Sequence, residues 1–150
     1  MDILTGIFKL DYLVVMDLIE LLEKFDRDIL DKVVAAMAKY RLKHYDGDVQ
    51  QLHRRMALLY DYVDKSVREE NVMPMVLYVE QMAEKRFLSG FDLQEVQTAF
   101  NVLEEFIWKY ILENVKPGLQ AEALGLISSI IGSGKDTLAR TYLKLASVNH

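Results

Sequence analysis

The chain has 150 residues, a length that fits one domain over 1–150, and carries 23 acidic against 18 basic side chains, for a formal charge of −5. An acidic chain without a basic block argues against a nucleic-acid-binding protein. The absence of cysteine excludes disulfides and thiol chemistry and fits a reducing compartment, so we expect a cytoplasmic protein.

Apolar residues recur at spacings of three and four along almost the whole chain, which is the helical period. Only two prolines and seven glycines interrupt this pattern. The sequence therefore predicts an all-α fold of about six helices, in either a globin-like or an up-down arrangement. The longest apolar run near the N-terminus covers 12–16, far short of the roughly 20 residues that span a bilayer, so we expect no membrane insertion.

The first three helices are predicted from apolar stripes and polar caps. The first covers 10–24. The second is capped by Asp26 or Asp28 and runs to about Lys43. A polar turn follows, after which Asp48 caps the third helix.

The clearest boundary in the sequence separates the fourth helix, predicted over 72–88, from the fifth. Gly90 ends the fourth helix, since glycine is the usual residue just past a helix end. Asp92 then caps the next helix, and Glu95 three residues later completes a pair that resembles a capping box. The fifth helix is predicted to continue to about Val115.

The sixth helix, predicted over 119–147, contains a glycine-rich stretch that is similar to a phosphate-binding loop. Such a loop needs a glycine and a hydroxyl at positions that Ser129 and Asp136 occupy here. The apolar residues on both sides keep one helical face if the backbone stays helical. We therefore predict a continuous helix in which the glycines produce a kink or a close helix crossing.

The first and fifth helices are apolar on more than one side. A wide apolar surface of this kind indicates either deep burial or contact with a partner. We expect a homodimer that uses the N-terminal region, with five candidate interface residues: Leu10, Leu13, Val14, Phe106 and Trp108.

The three histidines do not assemble a recognisable reactive site. His53 is the candidate for a phosphoryl acceptor or a haem ligand, although it is flanked by Arg54 and Arg55, and a solvated histidine on a helix face is the simpler interpretation. The paired Glu-x-x-His motifs of di-iron bundles are missing. No serine, lysine or carboxylate set has a spacing that suggests catalysis. We therefore predict a non-enzyme with no catalytic residues, no cofactor and no metal site.

The boundary around residue 90 resembles one in the N-terminal sensory domains of RsbR-type regulators, the RsbT co-antagonist family, and in related input domains of histidine kinases. Six residues form the similar pattern: Arg86, Gly90, Phe91, Asp92, Leu93 and Glu95. A long helix rich in Leu, Phe and Ile follows. The last helix is similar in its Ala-x-x-Tyr ending, formed here by Ala139 and Tyr142.

The resemblance implies a globin-like or bundle domain that lacks haem, is often dimeric and serves as a signal input without catalytic residues. The expected function is thus a non-enzymatic signal-input or regulatory interaction domain, with a protein partner, in a bacterial stress-response or two-component-type pathway. The chain departs from the family in having no downstream effector segment, as expected of a free-standing member or the front of a longer protein. The alternative is a ligand-binding helical module, such as a haem-binding globin-like sensor.

Overall fold

A computed structural model describes residues 12–40, 42, 44 and 48–148 of the chain, and helices dominate these residues. Six helices follow one another: α1 (Tyr12–Lys24), α2 (Asp26–Lys39), α3 (Val49–Glu69), α4 (Met73–Leu88), α5 (Leu93–Asn114) and α6 (Pro117–Val148). The predicted all-α fold is confirmed. Over the described residues, none of these helices is both long enough and apolar enough to cross a membrane.

Two of the predicted helix caps are present. The Asp48 side chain accepts a hydrogen bond from the backbone N–H of Gln51 at 2.9 Å and so caps α3. At the start of α5, Asp92 and Glu95 form the reciprocal capping box. Local side-chain chemistry therefore sets where these two helices begin.

The predicted N-cap of α2 and its predicted C-terminal end are both wrong. Its N-cap position is occupied by Phe25, which makes no side-chain cap, and Asp26 already lies inside the first turn. The Phe25 ring packs against Tyr110 with the ring centroids 5.1 Å apart, so an apolar contact fixes the bend between α1 and α2. The helix ends at Lys39 rather than near residue 43, and the N–H of Tyr40 bonds to the carbonyl of Met37 in a tightened last turn.

The packing of the six helices departs from a simple up-down bundle, because the most extensive contact joins α4 and α6, which are not consecutive in the chain. The most extensive contacts join α4 to α6 and α5 to α6, followed by α2 with α5 and α2 with α3. In an up-down bundle, helices that are consecutive in the chain would pack most closely. Here α3 packs against all five other helices, and α6 makes the two most extensive contacts, with α4 and α5.

At the glycine-rich stretch, α6 passes close to its neighbouring helices. A close helix crossing was one of the two predicted outcomes, the other being a kink. The helix is continuous through it, and Gly134 is buried. A β-carbon on Gly134 would lie 2.8 Å from Cε1 of Phe100 and 3.1 Å from Cγ of Met75, so only glycine allows this approach. The Nζ of Lys135 bonds to Oδ1 of Asn101 at 3.1 Å, which ties α6 to α5.

Candidate functional site at the α4–α5 junction

The turn between α4 and α5 brings together, in one compact cluster, most of the six residues on which the RsbR-type resemblance was based. The N–H of Phe91 bonds to the carbonyl of Arg86 at 3.0 Å, and the N–H of Gly90 bonds to the carbonyl of Phe87 at 3.1 Å. This pair of bonds is a Schellman motif, whose penultimate residue adopts the left-handed conformation. Gly90 occupies that position with φ of +85°, which explains why the turn uses glycine.

Glu95 is the most deeply buried charged side chain among the described residues, with 5% of its surface exposed. Its Oε1 accepts from the N–H of Asp92 at 3.0 Å and from Nδ1 of His44 at 2.8 Å. Its Oε2 accepts from the N–H of His44 at 2.9 Å. Three donors therefore surround one carboxylate, and two of them come from the segment between α2 and α3.

The three hydrogen bonds also set the charge state of Glu95. Burial raises the pKa of the Glu95 carboxyl, but the hydrogen bonds from His44 and Asp92 outweigh this effect and hold the pKa below its ordinary value of 4.5. An ionised carboxylate only accepts hydrogen bonds, so Nδ1 of His44 is the donor in their contact. This contact fixes the orientation of the imidazole ring.

Phe91 links the remaining parts of the junction. Its buried ring stacks on the His44 ring with the centroids 4.4 Å apart. The guanidinium carbons of Arg55 and Arg86 lie 4.9 Å and 5.5 Å from the Phe91 ring centroid, within reach of a cation–π interaction. The Phe91 carbonyl accepts a hydrogen bond from the Tyr142 hydroxyl at 2.9 Å. The cluster thus joins α3, α4, α5, α6 and the segment before α3.

The sequence indicated part of this cluster. Arg86, Gly90, Phe91, Asp92 and Glu95 lie together, and Leu93 is the half-buried first residue of α5. The structure adds two partners that lie 51 residues from the groups they contact, His44 and Tyr142. Tyr142 belongs to the family-like ending of the last helix, whereas His44 gave no signal beyond its place in a polar turn.

The histidine that the sequence singled out is not part of the cluster. His53 is exposed on α3, so it does not face the apolar pocket that a haem ligand requires. The cleft between α3, α4 and α5 has a volume of only about 20 Å³, because the side chains of Met56, Leu59, Tyr78, Met82 and Phe100 fill it. These observations disfavour the haem-binding alternative.

The candidate interface residues fall into different environments. Leu13 on α1 and Trp108 on α5 are exposed, and Phe106 is half-buried beside a pocket between α2 and α5. Val14 was wrongly included, because it is fully buried and faces the core with Leu18 one turn later. Leu10 lies outside the described residues.

The cluster has the groups of a histidine–carboxylate pair, but these groups bond to one another and to the backbone. No set of three or more His, Cys, Asp or Glu side chains within the described part of the chain is placed to hold a metal ion. Comparison with known proteins finds no matching family model, no matching curated protein and no matching solved structure. Proposals about function therefore depend on the geometry of the junction.

Proposed function

We propose that this chain is a non-enzymatic signal-input or regulatory protein-interaction domain of a bacterial stress-response or two-component-type pathway, and that it acts in the cytoplasm. The observation that carries the proposal is the α4–α5 junction, where Phe91 and Glu95 connect four helices and the segment before α3 through contacts with His44, Arg55, Arg86 and Tyr142. A displacement of any one of these parts changes the contacts of the others.

The chemistry of the junction supports a mechanical role. A general acid or base must have a proton or a lone pair directed towards a substrate. Here both carboxylate oxygens of Glu95 accept hydrogen bonds from the protein itself, and the carboxylate is buried. The arrangement stabilises one conformation, and an input domain would respond when a signal favours a second conformation in which these contacts are broken.

The outer surface of α5 offers a place where a partner could detect such a displacement. Trp108 and Leu112 lie four residues apart, and both are exposed. Residues at this spacing lie on the same face of a helix, so they form a small apolar patch. Because α5 begins at the capping box, movement of the junction would reorient this patch.

The proposal is tested by two classes of variant in the organism that encodes the chain. Trp108→Glu with Leu112→Glu changes the patch, and His44→Ala changes the junction. We expect both classes to alter the output of a stress-response or two-component reporter, while purified proteins keep wild-type helical circular dichroism. Glu122→Lys, at an exposed site on α6, is the control and should leave the output unchanged.

A reporter that responds normally in both classes of variant, and in a strain lacking the gene, would overturn the proposed role. The haem-sensor alternative has its own test, which is absorption spectroscopy of the purified chain with added haemin. We expect no sharp band of ligated haem. A sharp band that is lost in the His53→Ala variant would refute the haem-free function.

A further inference from the structure

A groove of about 700 Å³ runs between α4 and α6, away from the α4–α5 junction. Its polar lining consists of Glu80 and Glu84 on α4 and of Thr137, Arg140, Thr141 and Lys144 on α6. Its walls carry opposite charges, because both acids lie on α4 and both bases lie on α6. One side of the groove is therefore acidic and the other side is basic.

Helical spacing aligns the charges along each wall. Glu80 and Glu84 are four residues apart on α4, and Arg140 and Lys144 are four residues apart on α6. Side chains at this spacing stand above one another on the same helix face. Each wall thus presents a row of two like charges. A row of two opposite charges on another molecule could neutralise it.

The two walls do not neutralise each other within the molecule. Among the described residues, no ion pair with a separation of 4.0 Å or less joins the acids of α4 to the bases of α6. Arg140 instead lies 3.7 Å from Asp136, an exposed residue on its own helix. The hydroxyls of Thr137 and Thr141 donate to carbonyls one turn earlier on α6. The charges of the groove are consequently available to a molecule that enters it.

The acidic wall is bordered by exposed apolar side chains. Leu77 is 55% exposed and Leu88 is 71% exposed, and they lie three residues before Glu80 and four residues after Glu84. Large apolar side chains next to unpaired charges are typical of a surface that contacts another protein. The groove therefore combines apolar area with a charge pattern that selects its occupant.

We infer that the occupant is a second copy of this chain, docked face to face across the α4–α6 groove. A two-fold axis that runs along the groove exchanges its walls, so the acidic wall of each copy lies against the basic wall of the other. An axis across the groove would place like charges together and is excluded by repulsion. The same surface serves both copies, as a closed symmetric dimer requires.

This inference concerns assembly and does not depend on the proposed signalling role. It places the dimer contact on α4 and α6, and not on the exposed residues Leu13 and Trp108 that the sequence suggested. The pattern of charges requires the acidic wall of each copy to pair with the basic wall of the other copy.

The first experiment makes the groove uniformly charged. Glu80→Lys with Glu84→Lys gives two basic walls, and Arg140→Glu with Lys144→Glu gives two acidic walls. Sedimentation velocity should show that each variant alone dimerises at least tenfold more weakly than the wild type. An equimolar mixture of the two variants should recover a dimer, because a basic groove then meets an acidic one.

A control matched to the Glu80→Lys, Glu84→Lys variant makes the same change of net charge elsewhere. Glu69→Lys with Glu122→Lys alters two exposed acids that do not line the groove, and should dimerise like the wild type. Circular dichroism checks that every variant keeps its helices. Dimerisation of the wild type should also weaken with added salt, because exposed charge pairs are screened.

Cross-linking tests the direction of the two-fold axis. The chain contains no cysteine, so Glu80→Cys and Arg140→Cys each introduce one thiol. A short bifunctional thiol reagent should join the two variants in a mixture and should leave each variant alone largely unlinked. A wild type that stays monomeric at all accessible concentrations would overturn the inference. So would a dimer that both charge variants leave intact.

Discussion

Helices α3 and α4 end in turns with the same backbone hydrogen bonds but with different residues at the left-handed position. In α3, the N–H groups of Glu70 and Asn71 bond to the carbonyls of Val67 and Ser66. The α4 turn repeats these bonds with each residue number increased by 20. The left-handed residue is Glu70 with φ of +50° in the first turn and Gly90 with φ of +85° in the second.

The two turns differ more in what surrounds them. The α3–α4 turn is held by its neighbours in sequence, since Oδ1 of Asn71 accepts from the N–H of Met73 and the hydroxyl oxygen of Ser66 accepts from the N–H of Met75. The α4–α5 turn is held by His44 and Tyr142, which come from distant parts of the chain. One backbone motif therefore serves as a local connection in one place and as a point of long-range coupling in the other.

The largest expected effect comes from Glu95→Ala, which removes the acceptor of three hydrogen bonds at the coupled turn. We expect a loss of about 3 kcal/mol in the free energy of unfolding, because buried donors lose a charged acceptor. Ser66→Ala, at the local turn, removes one neutral acceptor and should cost about 1 kcal/mol. Urea unfolding followed by circular dichroism measures both, and equal losses would contradict the distinction between the turns.

A surface control accompanies this comparison. Glu122→Ala changes an exposed glutamate on α6 outside the groove, and its effect on the unfolding free energy should stay within about 0.5 kcal/mol. The Glu95 variant should also loosen the backbone at His44, whose N–H bonds to Oε2 of Glu95 in the wild type. Hydrogen exchange that rises at the His44 amide in Glu95→Ala, but not in Ser66→Ala, would show long-range coupling.

Gly90→Ala is expected to have the next largest effect. The new β-carbon would meet only Nε2 of His44, at an ordinary contact distance of 3.9 Å, so its cost is that of the left-handed backbone alone. For an L-residue this cost is about 1–2 kcal/mol. The same substitution at Gly125, a helical position on α6 with open space around it, should instead stabilise the fold by about 0.5–1 kcal/mol.

The contribution of Glu95 should also depend on pH. The pKa of its carboxyl is lower in the folded chain than its ordinary value of 4.5, so its stabilising effect is present above 4.5 and is lost as pH falls through the folded pKa. The difference in unfolding free energy between the wild type and Glu95→Gln should therefore shrink below pH 4.5. A difference that grows towards acid would show that the sign of the shift is wrong.

The smallest expected effect is a gain in the free energy of unfolding. Glu70→Gly relieves the left-handed conformation of a residue with a β-carbon, and this relief exceeds the entropic cost of glycine by about 0.5–1 kcal/mol. Glu69→Gly is the matched control because Glu69 is the last residue of α3, and it should destabilise the chain by up to about 1 kcal/mol. A loss of stability in Glu70→Gly would mean that the Glu70 side chain makes a stabilising contact.

The sequence predicted features whose causes lie within a few residues of one another. Gly90 and the Asp92–Glu95 pair could be identified because a helix end and a cap have local signatures. The bond between His44 and Glu95 could not, since nothing in a polar turn indicates a partner 51 residues away. Glu70 was missed because the left-handed position rarely holds a glutamate. Val14 was misassigned because an apolar residue has the same appearance in a sequence whether it contacts the core or a partner.

Trp108 is the single tryptophan of the chain and is 38% exposed on α5. Its indole is therefore a natural optical probe of one surface of the molecule. A partner that covers the outer face of α5 would shift its fluorescence to shorter wavelengths. A second copy that occupies the α4–α6 groove would leave the emission unchanged, so a single spectrum can separate the two modes of association.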